Sequence, residues 1–300
     1  CIVRQIRPDL IYVNSLMFPQ ALVASRLCGV PAVVHVREVA TTYPTVVYAS
    51  YLRVAAATAR RVVVVARFVT EQQAFRALPS LAPRCDVVYN SSALVLDELR
   101  TGGGETTTRP VVILCVIPLT RQKGAHDLPR ILAALQDREL ADACEIHVVG
   151  RLQDPALLAE IESDLQQRDL GGRMIFHGPT TDVLPHYARS DILLHPSYTE
   201  AFPRILVEAA NLGLPTVATS VGGTSEVVKH GQTGLLSPPG DVEGLADHLA
   251  TLIVEPGLRS RFGDAAREHH ARCFGRQGMI SSIEAVLRAA VGPRTDGGGS

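Results

Sequence analysis

The sequence lacks the features of secreted, membrane-spanning and nucleic-acid-binding proteins. Its six cysteines form no C-x-x-C pair, which favours reduced, mostly buried thiols in a cytosol-like compartment. No apolar run approaches the roughly 18 residues that a membrane-spanning helix needs. The net charge of −1 gives no electrostatic attraction for a polyanion, so nucleic-acid binding is not expected.

Apolar strands alternate with longer helical patterns along the whole chain. This alternation predicts parallel βα units rather than a sandwich or a barrel, and 300 residues suffice for two doubly wound domains. Such domains bind ligands at the carboxyl ends of their strands. We predict strands near residues 10–13, 32–36, 62–65, 86–89, 111–117, 145–149, 173–177, 191–195, 214–219 and 234–236, and helices near 19–28, 47–59, 68–77, 127–136, 155–168, 182–189, 203–212, 223–229, 242–253, 256–271 and 277–290.

Two carboxylates eight positions apart, Glu200 and Glu208, mark the most informative segment. Pro203 suits the first turn of a helix, where its missing N–H costs nothing. Glu200 would then lie on the entering loop and Glu208 inside the helix. The free N–H groups of a helix start attract anions, and one carboxylate can accept hydrogen bonds from two vicinal hydroxyls. The segment therefore fits a sugar–diphosphate–ribose ligand, with a helix bearing two solvated glutamates as the alternative.

This segment resembles the E-x7-E signature of the retaining glycosyltransferases of family 4, which have the GT-B fold. Further motifs carry the resemblance from about residue 7 to about residue 287. In order along the chain they are 9–14, 31–38, 87–91, 123–124, 221–226, 231–234 and 238–241.

The resemblance implies an α/β protein with two Rossmann-like domains facing a cleft, the first of them truncated. We expect a partial acceptor-side domain at 1–105 and a nucleotide-sugar-binding domain at 106–275. A helix at 276–291 would pack back on the first domain, and 292–300 would be a flexible tail. The Gly- and Thr-rich segment 101–110 is typical of a linker. Because the chain opens on Cys1 in mid-pattern, it is interpreted as a fragment.

The implied activity is the transfer of a hexose-type sugar from a nucleoside-diphosphate-sugar to a glycan or lipid-linked acceptor, as in polysaccharide biosynthesis. No Asp-x-Asp triplet is present to bind a metal, so we expect a metal-independent reaction without a cofactor. The resemblance also implies a cytoplasmic protein and allows peripheral contact with the inner face of the membrane. The fragment as given is expected to transfer little or no sugar.

The resemblance assigns candidate roles to named residues. Lys123 is one of only two lysines, with Lys229, and stands where the family places a diphosphate-binding lysine. A solvated loop lysine is the alternative. The catalytic candidates are Lys123, Glu200 and Arg37. The donor-binding candidates are Glu208, the backbone from Phe202 through Pro203 and Arg204 to Ile205, the turn Gly222, Gly223 and Thr224, and the guanidinium groups of Arg121 and Arg151.

Two positions depart from the family pattern or leave alternatives open. Pro118 replaces an arginine five residues before the lysine, so Arg121 or Arg151 would have to supply that contact, and neither need reach the same oxygens. In the first domain Arg37 aligns with a family histidine, while His35 is better explained as a hydrogen-bonded core residue. Glu38 is a candidate partner of Arg37.

Other functions remain as alternatives. A degenerate nucleotide-sugar-binding subunit without turnover is favoured by Pro118, and a GT-B-fold epimerase is a second option. A phosphorylase would need a lysine for pyridoxal phosphate, and neither lysine has a suitable setting. A glycosidase would need its two carboxylates to face each other, whereas these are expected to line different parts of one extended ligand.

Overall fold

The computed structural model describes residues 2–40, 44–92, 94 and 109–292. The chain divides into two compact units, one formed by residues 1–90 with 276–300 and the other by residues 91–275. The predicted boundary between residues 105 and 106 lies outside the described residues. Most of the predicted linker and the predicted tail beyond Gly292 lie outside them as well.

The first unit contains a four-stranded parallel sheet in the order β1-β2-β3-β4. All five residues of β2 are buried, as expected for a strand covered on both faces of a parallel sheet. The strands are β1 (Ile11–Val13), β2 (Ala32–Val36), β3 (Arg61–Val64) and β4 (Cys85–Val87). The helices are α1 (Ile2–Ile6), α2 (Pro19–Cys28), α3 (Thr45–Thr58), α4 (Arg67–Glu71), α5 (Gln73–Arg76) and the distant α13 (Arg276–Val291).

Helix α13 supplies part of the core of the first unit. Val286 and Ala290 on this helix form one buried cluster with Val33 of β2 and Val63 of β3. The apolar positions of α13 recur three and four residues apart, so one helical face meets the sheet.

The second unit contains a six-stranded parallel sheet in the order β10-β9-β8-β5-β6-β7. The chain builds β6 and β7 on one side of β5 and then returns to place β8, β9 and β10 on its other side. This reversal puts a topological switch point between β5 and β8, where ligands bind in open α/β sheets. The strands are β5 (Val111–Val116), β6 (Cys144–Val149), β7 (Met174–Gly178), β8 (Ile192–His195), β9 (Thr216–Thr219) and β10 (Gly234–Ser237).

Two helices of the second unit begin at an aspartate that caps them. Asp154 caps α7 by accepting hydrogen bonds from two backbone N–H groups, and Asp241 caps α11 in the same way with one. The helices are α6 (Leu128–Asp137), α7 (Pro155–Gln167), α8 (Leu184–Arg189), α9 (Arg204–Leu212), α10 (Thr224–Val227), α11 (Val242–Val254) and α12 (Pro256–Cys273).

The predicted two-domain α/β architecture is confirmed, and every predicted strand is present within a few residues. Two predicted helices are wrong in extent. The helix predicted at 68–77 is split because Gln72 has an extended backbone, while its side chain accepts a hydrogen bond from the N–H of Ala40. The helix predicted at 223–229 ends at Val227, where Val228 turns extended. Of the five described cysteines, all unpaired, only Cys115 and Cys144 are buried, so the expectation of mostly buried thiols is wrong.

Candidate donor site at the carboxyl edge of the second sheet

The candidate residues of the second unit gather on three loops at the carboxyl edge of its sheet. Lys123 follows β5, Glu200 follows β8, and Gly222 follows β9. These three strands lie on the two sides of the switch point, so their loops leave the sheet next to one another. The order of the strands, rather than the order of the sequence, creates this neighbourhood.

A tight turn presents Lys123. The hydroxyl of Thr120 accepts a hydrogen bond of 3.3 Å from the N–H of Lys123 and caps a 3₁₀ turn. Gly124 closes the turn with φ +76°, and a Cβ on it would lie only 2.0 Å from the carbonyl oxygen of Pro196. Glycine is therefore required at this position, because the turn packs directly against the loop that carries Glu200.

Lys123 and Glu200 form an ion pair. The Nζ of Lys123 lies 2.6 Å from the Oε1 of Glu200 and 3.4 Å from the carbonyl oxygen of Thr199. The side chain of Lys123 is 25% exposed and that of Glu200 only 12%. The ion pair is thus largely buried, and its charges are screened less than at an open surface.

His195 is the second partner of Glu200. Its Nε2 lies 3.0 Å from the same Oε1, and its side chain is only 2% exposed. The Oε2 of Glu200 accepts no hydrogen bond from the described residues. One carboxylate oxygen is therefore held by two donors, and the other is left available.

These contacts keep Glu200 ionised. Burial by itself would raise the pKa of this carboxyl group, but the hydrogen bonds and charges of His195 and Lys123 outweigh that effect and lower the pKa from 4.5 to about 2. At neutral pH the group can therefore only accept hydrogen bonds.

The loop after β9 is tied to the loop of Glu200. Gly222 has φ +54°, and a Cβ on it would lie 1.7 Å from the carbonyl oxygen of Glu200. Gly223 donates its N–H to the carbonyl of Ala201 at 3.1 Å. This turn is therefore packed closely against the backbone of the neighbouring loop. The hydroxyl of Thr224 is fully buried and has no partner among the described residues.

Helix α9 begins next to Glu200. Pro203 is its N-cap residue rather than its first residue, so the helix begins one position later than predicted, and proline has no N–H to offer. The first N–H groups of the helix, those of Arg204 and Ile205, have no partner within the helix and none elsewhere in the described chain. The ring of Phe202 packs inward against Phe274, with ring centroids 5.8 Å apart. Of the backbone segment expected to bind the donor, from Phe202 to Ile205, Pro203 therefore supplies no N–H group.

Glu208 lies one turn into α9 and is also held by two partners. The hydroxyl of Tyr187 donates to its Oε2 at 3.1 Å, and the guanidinium of Arg204 donates to its Oε1 at 3.4 Å. Burial and the neighbouring carboxylate raise the pKa of Tyr187, so its hydroxyl remains a donor. The side chain of Glu208 is 13% exposed.

The two arginines expected to compensate for Pro118 differ in whether their guanidinium groups form an ion pair. Arg121 forms an ion pair with Glu160 of α7 at an exposed position. Arg151 follows β6, and its carbonyl accepts the N–H of Leu119 at 3.0 Å. The exposed guanidinium of Arg151 has no ion-pair partner among the described residues. Of these two arginines, Arg151 is therefore the one whose guanidinium is free, within the described part of the chain, to contact an added anion.

Arg37 belongs to the other compact unit and lies directly after β2. Its guanidinium donates to the Oδ1 atoms of Asn14 and Asn90 at 3.3 and 3.4 Å. Glu38 accepts instead from the backbone N–H of Arg37, from the N–H of Leu16 and from the hydroxyl of Ser15. The expected side-chain pairing of Arg37 with Glu38 is therefore absent from the described contacts.

His35 lies inside the first sheet. The hydroxyl of Tyr12 lies 2.7 Å from its Nδ1. Burial, reinforced by the charge of Arg37, lowers the pKa of His35 to about 4. These contacts are those of a hydrogen-bonded core histidine.

Two contact residues escaped the sequence interpretation. His195 ends an apolar strand immediately before Pro196, and a polar residue closing a buried strand is a usable signal. Tyr187 lies on the short helix α8, more than 20 positions before Glu208, and no local pattern links the two.

Among the described residues no three His, Cys, Asp or Glu side chains are arranged to hold a metal ion. This observation leaves the prediction of metal independence untested. No helix in the described part of the chain combines the length and the apolar character needed to cross a membrane.

Comparison with known proteins identifies the family. Residues 102–269 match the family described as glycosyl transferases group 1, and the chain belongs to this family. The D-inositol 3-phosphate glycosyltransferase of Kribbella flavida is 34% identical over 187 residues, which cover 60% of this chain and 44% of that protein. The glycogen synthase of Mycobacterium tuberculosis is 32% identical over 184 residues, which cover 61% and 44%. The chain thus spans less than half the length of these relatives.

Solved structures define the fold class. HepE (Alr3699) of Anabaena, determined in complex with UDP, superposes with a TM-score of 0.84 over 95% of this chain and 80% of its own, at 23% identity. Similarity at this level of identity concerns the fold. The chain has the GT-B fold, as predicted, with one parallel α/β sheet in each unit.

Proposed function

We propose that the protein is a retaining, metal-independent glycosyltransferase of the family 4 type, which moves a sugar from a nucleoside-diphosphate-sugar to a glycan or lipid-linked acceptor. The observation that carries the proposal is the pairing of Lys123 with Glu200 beside the open N-terminus of α9. A cation, a row of free N–H groups and an ionised carboxylate are thereby concentrated at one edge of a parallel sheet.

The diphosphate is assigned to the positive part of this site. Sugar transfer builds negative charge on the departing diphosphate, so donors fixed in advance lower the barrier. Lys123 has three ammonium hydrogens, and its two contacts, with Glu200 and Thr199, leave one for phosphate. The N–H groups of Arg204 and Ile205 supply further donors at a helix N-terminus. Arg151 supplies the guanidinium that Pro118 cannot.

The sugar and the ribose are assigned to the two carboxylates. Glu200 Oε2 can accept a hydrogen bond from a hydroxyl of the donor sugar, since Oε1 already accepts two hydrogen bonds. Glu208 can accept hydrogen bonds from the vicinal hydroxyls of the ribose through lone pairs that Tyr187 and Arg204 do not use. The same ligand thus bridges two glutamates eight positions apart.

Metal independence is part of the proposal, because Lys123, Arg151 and the start of α9 supply positive charge without a cation. The complexes of HepE with UDP and with UDP-glucose suggest uridine nucleotides as first probes. Incubation of the chain with radiolabelled UDP-glucose and a panel of glycan acceptors, with retention scored by the anomeric configuration of the product, tests the proposal directly. An inverted product would refute the retaining assignment.

A second function, nucleotide-sugar binding without turnover, is favoured by Pro118. Proline removes one cation from the diphosphate site and cannot regain it by a change of rotamer. Restoring the cation by Pro118→Arg, with Gln122→Arg at an exposed position of the same loop as the control, separates the two functions. Turnover gained only by Pro118→Arg identifies a degenerate site.

A further inference from the structure

We propose that His195 is a positioning residue, which holds the Glu200 carboxylate in a single orientation through its Nε2–H and thereby keeps Oε2 available for a donor sugar. The inference rests on the proposed role of Glu200. His195 itself is not expected to touch the ligand, since its side chain is only 2% exposed.

The strand places the ring beside Glu200. Ile192 and Leu194 of β8 point into the main core of the second unit, so the alternation of the strand directs His195 to the opposite face. There its Nε2 lies 3.0 Å from Glu200 Oε1. Because an ionised carboxylate only accepts hydrogen bonds, Nε2 must carry the hydrogen.

The other ring nitrogen of His195 is buried in a way that lowers the stability of the fold. Nδ1 of His195 is buried and has no hydrogen-bond partner among the described residues. A buried polar atom without a partner destabilises a fold, and an apolar side chain of similar size would avoid the loss. An unsatisfied buried atom of this kind is expected where a residue serves function, and within the described residues the polar contact of the ring is with Glu200 alone.

Lys123 alone cannot supply the same restraint. Its ammonium is carried on a flexible four-carbon stem, and the proposed function requires it to contact phosphate as well. Without His195, a ligand that draws Lys123 away would leave Glu200 free to rotate. The imidazole of His195 is buried and stays in contact, so the orientation of Glu200 survives the loss or weakening of the lysine contact.

The decisive comparison is His195→Gln against His195→Asn. The amide nitrogen of glutamine is the same number of bonds from Cα as Nε2 of histidine, whereas that of asparagine is one bond shorter. Glutamine should therefore restore the donor to Glu200, and asparagine should not. His195→Leu fills the volume without any donor, and His248→Asn is the control, because His248 bonds only the carbonyl of Leu236 in the described chain.

Calorimetry with UDP-glucose and with UDP gives the first readout. The Asn and Leu variants should lose about 10-fold or more in UDP-glucose affinity, the effect of one hydrogen bond to a charged group, with a much smaller loss for UDP. The Gln variant and the His248→Asn control should stay within about 3-fold of the unmodified chain. Equal losses for Gln, Asn and Leu, or equal losses for UDP and UDP-glucose, would overturn the proposal.

A second readout needs no ligand and separates this proposal from the function on which it rests. The carboxyl carbon of Glu200, assigned with Glu200→Gln, is followed by ¹³C NMR during an acid titration. The pKa of this group, about 2 in the unmodified chain, should rise toward its usual range in the Asn and Leu variants and stay low in the Gln variant. An unmodified chain that binds no UDP-glucose would defeat the proposed function. A Glu200 titration that is the same in all variants would defeat the role of His195.

Discussion

The ammonium nitrogen of Lys123 and a carboxylate oxygen of Glu200 lie 2.6 Å apart, although the two residues are separated by 77 positions in the sequence. The contact joins the loop after β5 to the loop after β8, across the switch point of the second sheet. A diphosphate that approaches Lys123 meets a cation that is already paired. The ligand must therefore share the ammonium with Glu200 or displace Glu200 from it.

Replacing Lys123 should discriminate between phosphate groups. Lys123→Ala is expected to weaken binding of UDP much more than binding of UMP, because the lysine is assigned to the diphosphate. The expected loss for UDP is about 1.5–3 kcal/mol, the value of a hydrogen bond to a charged group. Calorimetry with both nucleotides measures it. Lys229→Ala is the matched control, since Lys229 is the other lysine and bonds the carbonyl of Ser225 at an exposed position. Similar losses for UMP and UDP would remove Lys123 from the diphosphate site.

Replacing Glu208 should weaken binding of the nucleotide part of the ligand rather than binding of its sugar. Glu208→Ala removes the proposed acceptor of the ribose hydroxyls and should reduce UDP affinity by about 1–3 kcal/mol. The loss should be the same for UDP and UDP-glucose, because both carry the ribose. Glu162→Ala, at an exposed position of α7, is the control. Nucleotide affinity that survives Glu208→Ala unchanged would exclude the assignment.

The contribution of Glu200 to the free energy of unfolding should depend on pH. The pKa of Glu200 is lowered to about 2 from 4.5 in the fold, so its ionised form stabilises the protein above pH 4.5 and this contribution disappears as the pH falls toward 2. At pH 7 the contribution is on the order of 3 kcal/mol. Urea denaturation should show a gap in unfolding free energy between the unmodified chain and Glu200→Gln that is full at pH 7 and shrinks below pH 4.5. A gap that stays constant with pH would mean that the carboxylate is not stabilised as described.

Nucleotide binding should not require a divalent cation. In the proposed site the positive charge is assigned to Lys123, Arg151 and the N-terminus of α9, so excess EDTA should leave UDP affinity within about 2-fold of the value with magnesium. Calorimetry in the two buffers is sufficient. A loss of binding in EDTA that added magnesium restores would falsify metal independence.

The sequence predicts the central strands β5 and β8 well because they are largely buried on both faces and are made almost entirely of apolar residues. It also places Glu200 just before a helix, since Pro203 marks that start. The contact of Glu200 with Lys123 needs the strand order as well, and two loops so distant in sequence meet only because β8 pairs with β5.

Other features have no local signature. Tyr187 reaches Glu208 from a helix of six residues, and only the packing of α8 beside α9 brings its hydroxyl there. The break at Gln72 coincides with a hydrogen bond to its side chain from Ala40, which is distant in sequence. Helical periodicity alone therefore predicts one helix where the chain forms two. In both places tertiary contacts override what the neighbouring residues favour.

The two glycines that press against the loop of Glu200 have a consequence for engineering. Gly124 meets the carbonyl of Pro196, and Gly222 meets that of Glu200, each at a distance that excludes any side chain. The three loops are therefore interlocked, and none can be exchanged for a relative's loop of different course without displacing the other two. Changing the choice of sugar donor by grafting a single loop should fail, whereas transplanting all three together should preserve the geometry around Glu200.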